Sequence, residues 1–269
     1  GGMKPETLLA AALQYCDIPG YSAVLFRRRL QEHTKPNCLI PRAKKWLAPF
    51  FKTGEVSWNG SGYSLSFKTK NFDGSEGEPS TLSFGYCYNV DTELQYQGAE
   101  YQFIGWDEGT QIKFDDYIYL LSRLRKAICP IHKTIMKFDS TLNKEVAMPN
   151  YVDDCFMCMQ RKAIPLRVRT ATNPGNRSHN DFKDRFQIKK DPASGRFRGY
   201  CKDRPFIPSY VEDNPYIDGK SYTESLMQLD PVRGKQLLDG DWDASPDSLY
   251  RIENCQWWTN NADYISFSG

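Results

Sequence analysis

Asp107 and Glu108 stand side by side at the end of an apolar run, Phe103-Ile104-Gly105-Trp106. In an open α/β sheet, ligands gather at the carboxyl ends of strands, so two adjacent carboxylates there have a chemical use. The first can order Mg²⁺ beside nucleotide phosphates, directly or through water. The second can orient an attacking water or accept its proton. This is the form of a Walker B motif, although two surface acids capping the next helix would give the same letters. A second run, Leu166 to Thr172, alternates apolar and basic residues and ends in Thr172-Asn173 before Pro174-Gly175. A Thr-Asn pair at a strand end can hydrogen-bond a γ-phosphate or the lytic water and so sense hydrolysis. A plain β-turn is the other reading.

Two further groups can do chemistry. Cys129-Pro-Ile-His132 and Cys155-Phe-Met-Cys158 are separated by 22 residues. Each pair places two ligands on one tight turn, and two such turns close a tetrahedral zinc site of Cys₃His type. Coincidence in a chain with eight cysteines is the competing reading, and the other five are scattered. At the start, Gly1-Gly2-Met3-Lys4 leads into a helix. A P-loop needs GxxxxGK[ST] there, so that backbone N–H groups and the lysine hold phosphates. The order is right but the spacing is short, and Pro5 stands where Ser or Thr is expected. Residues missing between Met3 and Lys4, a degraded motif and an artificial start all fit these letters. Lys4 is the candidate phosphate-binding lysine.

The elements that must position these residues follow from patterning. Residues 5–16 read as a helix, 21–26 as a buried strand and 42–51 as an amphipathic helix. Strand-like runs at 63–67 and 82–86 flank the polar turn region NFDGSEGEPS. Residues 101–106 and 166–172 read as strands, and 117–125 as a helix. This alternation predicts an α/β fold with a largely parallel sheet. Residues 21–26, 102–106 and 166–172 should be neighbouring strands, with Asp107 and Thr172 at one end of the sheet.

The chain has 269 residues, 40% hydrophobic and 25% charged, which excludes a disordered polymer. No apolar stretch is long enough to span a membrane, and no signal pattern opens the chain, so reduced thiols in a cytoplasm are expected. Net charge is only +2, but its distribution is uneven. Residues 161–190 hold nine Lys/Arg against Asp181 and Asp184, and residues 205–247 hold nine Asp/Glu against three Lys/Arg. The basic segment can face phosphates or form a solvated face.

Taken in order, these blocks resemble the ATPase part of the large terminase subunit of tailed bacteriophages, the DNA-packaging motor. The likeness is carried by the helix Leu8 to Tyr15 before PGYSAVLFRR and by Gln95 to Glu108, where YQGAEY leads into FIGWDE. It continues through Ser122-Arg-Leu-Arg125, Pro165-Leu-Arg-Val-Arg169 with TATNPGN, His179, and Lys183-Asp-Arg185-Phe186. Ile207-Pro208, Asp213-Asn214-Pro215-Tyr216 and Leu238-Asp-Gly240-Asp241-Trp242-Asp243 complete it.

The resemblance implies a P-loop ATPase of the ASCE type, a mostly parallel twisted sheet flanked by helices, with a small zinc-knuckle insertion. It implies an ATPase core over 1–175 with the insertion at about 127–162, a lid or linker subdomain over 176–258, and the opening of a truncated nuclease over 259–269. Asp107 then carries Mg²⁺ and Glu108 is catalytic. Lys4, Thr172 and Asn173 join Asp107 at ATP, and Thr172 and Asn173 couple hydrolysis to DNA movement. Cys129, His132, Cys155 and Cys158 hold a structural Zn²⁺. Arg27, Arg28 and Arg125 are candidates for an arginine completing a neighbour's site. The implied partners are double-stranded viral DNA, the portal protein, the small terminase subunit and further copies in a ring. The implied location is the host cytoplasm, transiently on the procapsid. DNA cleavage is not expected of this chain, and its short P-loop predicts weak or absent turnover. A non-hydrolysing DNA-binding or structural fragment and another DNA translocase or helicase are the alternatives.

Overall fold

The apolar runs become neighbouring strands. In the computed structural model, which describes residues 4–88, 92–213 and 218–244, Ser22–Arg27 forms β1, Val56–Asn59 β2, Ser64–Phe67 β3, Ser80–Tyr86 β4 and Phe103–Asp107 β5. Thr134–Asp139 (β6) and Lys144–Pro149 (β7) form a separate hairpin. Arg167–Ala171 is β8, and Ile188–Lys190 (β9) pairs with Phe197–Gly199 (β10). The helices are α1 (Lys4–Leu13), α2 (Gln31–Thr34), α3 (Leu39–Trp46), α4 (Ala48–Thr53) and α5 (Thr92–Gln95). They continue with α6 (Phe114–Leu121), α7 (Phe156–Ala163), α8 (His179–Phe186), α9 (Gly219–Met227) and α10 (Pro231–Leu238).

Six strands share one sheet in the order β2-β3-β4-β1-β5-β8. The strands β4, β1, β5 and β8 run parallel, and β3 and β2 extend the sheet antiparallel. The neighbours β1, β5 and β8 are those expected from the sequence. Asp107 lies opposite Ala171, so the two polar strand ends share one edge.

Burial explains why these strands read as unbroken apolar runs. All of β5 is buried, as are the four central residues of β1. A parallel strand covered on both faces needs apolar residues at every position. Side chains alternate between the faces. Ala23, Leu25 and Phe103 therefore pack with Leu8, Leu9 and Ala12 of α1 and with Leu39 and Ala43 of α3. Val24, Phe26, Ile104 and Trp106 pack on the opposite face with Tyr117 and Leu120 of α6 and Phe182 of α8. Each large apolar side chain so buried contributes about 1.5–3 kcal/mol, and the two layers together hold the polar strand ends in register.

Three expected helices differ in extent, the one expected over 5–16 running from Lys4 to Leu13. The one expected over 42–51 is divided between α3 and α4, with Pro49 in the first turn of α4. A proline there lacks the N–H that would continue α3, and its ring would strike the carbonyl four residues back. The helix expected over 117–125 starts at Phe114 and ends at Leu121. Residues 123–125 instead bridge the start of the β5 segment. Tyr101 N–H donates to Arg123 O at 2.9 Å, and Arg125 N–H donates to Tyr101 O at 2.8 Å.

His33 in α2 gives the fold an acid-sensitive point. It is fully buried, its Nε2–H donates to Gly85 O at 2.8 Å, and its Nδ1 has no partner among the described residues. Burial pushes its pKa down to about 4, against the pull of the Gly85 carbonyl. The unfolded chain, with a value near 6.5, binds the proton first on acidification, so stability is present above about 6.5 and lost as pH falls toward 4. At the lower end the loss reaches about 3 kcal/mol from this residue. Thermal melts of wild type and His33→Gln at about pH 7 and about pH 4.5 check this: the variant should melt lower near neutrality but lose less on acidification. Equal losses in the two proteins would refute it.

Candidate functional site

The chain leaves β5 through a constrained turn. Glu108 has φ +56°, in the left-handed region that costs a residue with a Cβ about 1–2 kcal/mol. Gly109–Gln111 then forms one 3₁₀ turn. A Cβ on Gly109 would sit 2.5 Å from Thr170 Cγ2 and 3.2 Å from Phe182 Cζ. Only glycine lets the chain pass so close to β8 and α8, and this passage holds Glu108 beside the β8 terminus.

Asp107 is not a surface acid; it is only 2% exposed. Arg27, at the end of β1, grips its Oδ2 with Nη2 at 2.5 Å and Nε at 2.7 Å. Arg27 Nη1 also donates to Glu32 O at 2.9 Å. Burial pushes the Asp107 carboxyl up, opposed by the charges of Arg27 and Lys4. Glu108 is pushed up by burial and then by Asp107, opposed by Lys4, Arg27 and Arg233. Lys4, the first residue of α1, donates from Nζ to Thr172 O at 2.8 Å and to Asn173 Oδ1 at 2.5 Å. Burial lowers the pKa of its ammonium, while Glu108 and Asp107 raise it. Three segments that the sequence analysis singled out separately thus meet: Lys4, Asp107-Glu108 and Thr172-Asn173.

Arg27, Arg28 and Arg125, the candidates for completing a neighbour's site, each have a contact within their own chain. Arg27 is engaged within its own chain on Asp107. Arg125 lies 3.6 Å from Glu100 at the surface, and Arg28 lies over the Tyr88 ring at 5.7 Å.

The turn after β8 is clamped by residues that the sequence analysis did not select. Thr110 N–H donates to Thr172 Oγ1 at 3.1 Å, and the two hydroxyl oxygens are 2.9 Å apart. Thr110 Oγ1 also lies 3.0 Å from Asn173 O and accepts from Asn176 Nδ2 at 3.2 Å. A hydroxyl carries one hydrogen. If Thr110 gives its own to Asn173 O, Thr172 is left to donate to Thr110 or, at 3.2 Å, to Asn173 O. Next in the turn, Gly175 N–H donates to His179 Nδ1 at 2.7 Å. The His179 proton is therefore on Nε2, which donates to Trp242 O at 3.0 Å. Burial lowers the pKa of this ring, in keeping with a neutral tautomer. Arg233 of α10 donates from Nη1 to Pro174 O at 3.4 Å.

The cysteines and histidine converge between α6 and β8. One ligand atom from each of Cys129, His132, Cys155 and Cys158 lies within 4.8 Å of every other. His132 Nδ1 is 3.7 Å from Cys129 Sγ and 3.2 Å from Cys158 Sγ. Tetrahedral bonds of about 2.0–2.3 Å put ligand atoms roughly 3.3–3.8 Å apart, so the donor set fits a metal of that size. Burial pushes the Cys129 thiol up, but the backbone N–H groups of His132 and Ile131 outweigh it and bring the value down to about 6. Burial, with Cys129 and Cys155 alongside, pushes Cys158 up to about 11. Cys129 and Cys158 are buried, whereas every residue of β6 and β7 is half-buried or exposed.

Gly1 to Met3, residues 214–217 and 245–258 of the expected lid, and the expected nuclease start at 259–269 lie outside the described residues. No helix among the described residues is long and apolar enough to cross a membrane.

No protein-family model matches the chain, and no curated protein sequence matches it. Solved structures do. The large terminase of the thermophilic bacteriophage D6E, in complex with ADP, superposes with a TM-score of 0.53 at 11% identity, over 90% of this chain and 46% of that one. A second crystal form of the D6E protein gives 0.54 at 11% identity, over 98% and 52%. The ATPase domain of the Thermus phage P74-26 large terminase gives 0.53 at 12% identity, over 90% and 86%. The chain spans about half the length of the D6E protein and most of the P74-26 domain. Its fold is that of the ATPase domains of phage large terminases.

Proposed function

We propose that this chain is the ATPase part of a phage large terminase, coupling ATP hydrolysis to movement of double-stranded viral DNA into the procapsid. The observation that carries this reading is the meeting of Lys4, Asp107-Glu108 and Thr172-Asn173 at the carboxyl edge of a parallel sheet, in a fold shared with terminase ATPase domains. In it, Asp107-Glu108 forms the Walker B pair and Lys4 is the lysine of a P-loop. Asp107 would hold Mg²⁺, which supplies charge neutralisation at the phosphates. Glu108, beside it and pushed up by burial, orients the water and takes its proton. Lys4 binds phosphate, and Thr172 and Asn173 report its loss through the clamped turn. Residues 1–175 form the motor core, 176–258 the lid or linker, and 259–269 the opening of the nuclease.

Cys129, His132, Cys155 and Cys158 would hold Zn²⁺ with no open position, as a structural knuckle within residues 127–162. The reading carries with it the partners of a packaging motor: DNA, portal, small subunit and further copies in a ring at the procapsid in the host cytoplasm.

The Arg27–Asp107 pair supports one second reading, a non-hydrolysing DNA-binding fragment, because a guanidinium already holds the metal-binding carboxylate. ATPase activity and DNA translocation of the intact protein, measured together, separate the two. Wild type should hydrolyse ATP, and Asn173→Ala should lower translocation about tenfold more than hydrolysis, the scale of a coupling energy near 1.4 kcal/mol. An intact protein with no ATPase activity would favour the second reading. Equal loss of both activities would remove Asn173 from coupling.

A further inference from the structure

One cation reaches the turn after β8 from a part of the chain that the roles above leave idle. Arg233 lies in the first turn of α10, which starts at Pro231 and is capped by Asp230, whose Oδ1 accepts from Val232 N–H at 2.9 Å and Arg233 N–H at 3.3 Å. Its half-buried side chain uses Nη1 alone, donating to Pro174 O at 3.4 Å and to Gln236 Oε1 at 3.2 Å. Among the described residues, its Nε and Nη2 make no hydrogen bond. Gln236 is buried and fixed in turn, donating from Nε2 to Ala244 O at 2.6 Å. The packing against the turn is close: a Cβ on Gly175, which has φ +92°, would lie 2.4 Å from Gln236 Oε1 and 2.8 Å from Arg233 Nη1.

The turn that Arg233 touches is also held by Thr110, two residues after Glu108. The Glu108 carboxylate has no hydrogen bond or ion pair among the described residues, yet Arg233 is one of the three cations whose charge acts on it, with Lys4 and Arg27. Of these three, Arg27 is committed to Asp107, and Lys4 gives two of its three donors to the Thr172-Asn173 turn. Arg233 is the one with forked donors to spare. A planar fork of N–H groups matches two oxygens of a phosphate. The turn under Arg233 is the segment assigned above to sensing the terminal phosphate.

We propose that Arg233 is a catalytic residue that contacts the terminal phosphate of a bound nucleoside triphosphate within its own chain. This rests on the nucleotide-binding reading above. It differs from that reading in making α10, rather than the strand ends alone, the part that distinguishes triphosphate from diphosphate.

The test is equilibrium binding of ADP and of a non-hydrolysable ATP analogue to the intact protein, with steady-state ATPase rates, for wild type, Arg233→Ala, Arg233→Lys and Gln236→Ala. Arg233→Ala should weaken the triphosphate analogue about tenfold or more, leave ADP within about twofold, and lower kcat by at least about a hundredfold. Arg233→Lys should recover part of the triphosphate preference. Gln236→Ala, which loosens α10 without removing the charge, should shift both nucleotides alike. If Arg233→Ala weakens ADP and the analogue equally, or neither, the inference is overturned and Arg233 only steadies the turn. If wild type binds neither nucleotide, the nucleotide-site reading itself fails and the inference falls with it.

Discussion

Replacing Glu108 with Gln in the intact protein should leave nucleotide binding within about twofold and lower ATP turnover by at least about a hundredfold, the usual scale for a lost general base. The amide keeps the shape and size of the carboxyl and removes only its capacity to accept a proton. Stability should move the other way. Glu108 has a raised folded pKa, through burial and through Asp107 alongside. A group of that kind favours the fold below its unfolded pKa and costs stability once the pH exceeds the folded value. At neutral pH the carboxylate is therefore a cost, and Glu108→Gln should raise the melting temperature while lowering any ATP turnover.

Asp107→Asn should do the opposite to stability. Burial raises the Asp107 carboxyl as well, but the substitution leaves Arg27, only 14% exposed, without its counter-charge, and that cost, on the order of 3 kcal/mol, outweighs the relief. A pair of adjacent acids with opposite effects on melting is difficult to explain as surface charge. Wild-type turnover in Glu108→Gln would end the catalytic assignment.

The parts of this site legible in the sequence are those fixed by local pattern. FIGWD reads as a strand because β5 is covered on both faces, so that every position but its polar end is apolar or glycine. Thr172-Asn173 reads as a strand end because Pro174-Gly175 stops β8. The two cysteine-containing pairs are visible because each knuckle closes within four residues. What stayed hidden depends on apposition. Arg27 is one of three consecutive arginines, and nothing in its neighbours says that β1 will lie beside β5 with its guanidinium on Asp107. Thr110 and Arg233 acquire their partners only when the β8 turn is pressed between the 3₁₀ turn and α10.

The hairpin β6–β7 was missed for a different reason. Neither of its faces is buried, so TIMKFD and KEVAMP carry no clean alternation to read. The start of α10 did have a local signal, Asp230 before Pro231, the cap and first-turn proline of a helix.

That same hairpin sets up the second large effect, loss of the metal. Met136 is 59% exposed and Phe138 64%, so β6 and β7 bury little apolar surface of their own. A segment of this size without a core needs a staple, and the four converging ligands are the one at hand. Structural zinc sites release about 10–16 kcal/mol on binding in small modules, and that binding energy is folding energy. Metal analysis of the purified protein should therefore find about one zinc per chain, as a closed four-ligand site requires.

Cys158→Ser removes the buried ligand nearest His132 and should abolish stoichiometric zinc. Limited proteolysis should then cut within residues 133–155, while the sheet survives. The insertion meets the rest of the chain through contacts such as Arg161 to Glu78 at 3.2 Å and the stacking of Phe156 on Phe72 at 4.9 Å between ring centres, and neither involves β1, β5 or β8. ATP binding should persist in Cys158→Ser, because Lys4 at the start of α1, Asp107 at the end of β5 and Asn173 just after β8 sit on elements to which none of the four cysteine and histidine side chains belongs. If zinc is substoichiometric in wild type, and chelation leaves the 133–155 segment as resistant to protease as before, the staple is not metal and the hairpin must be held by contacts with another molecule.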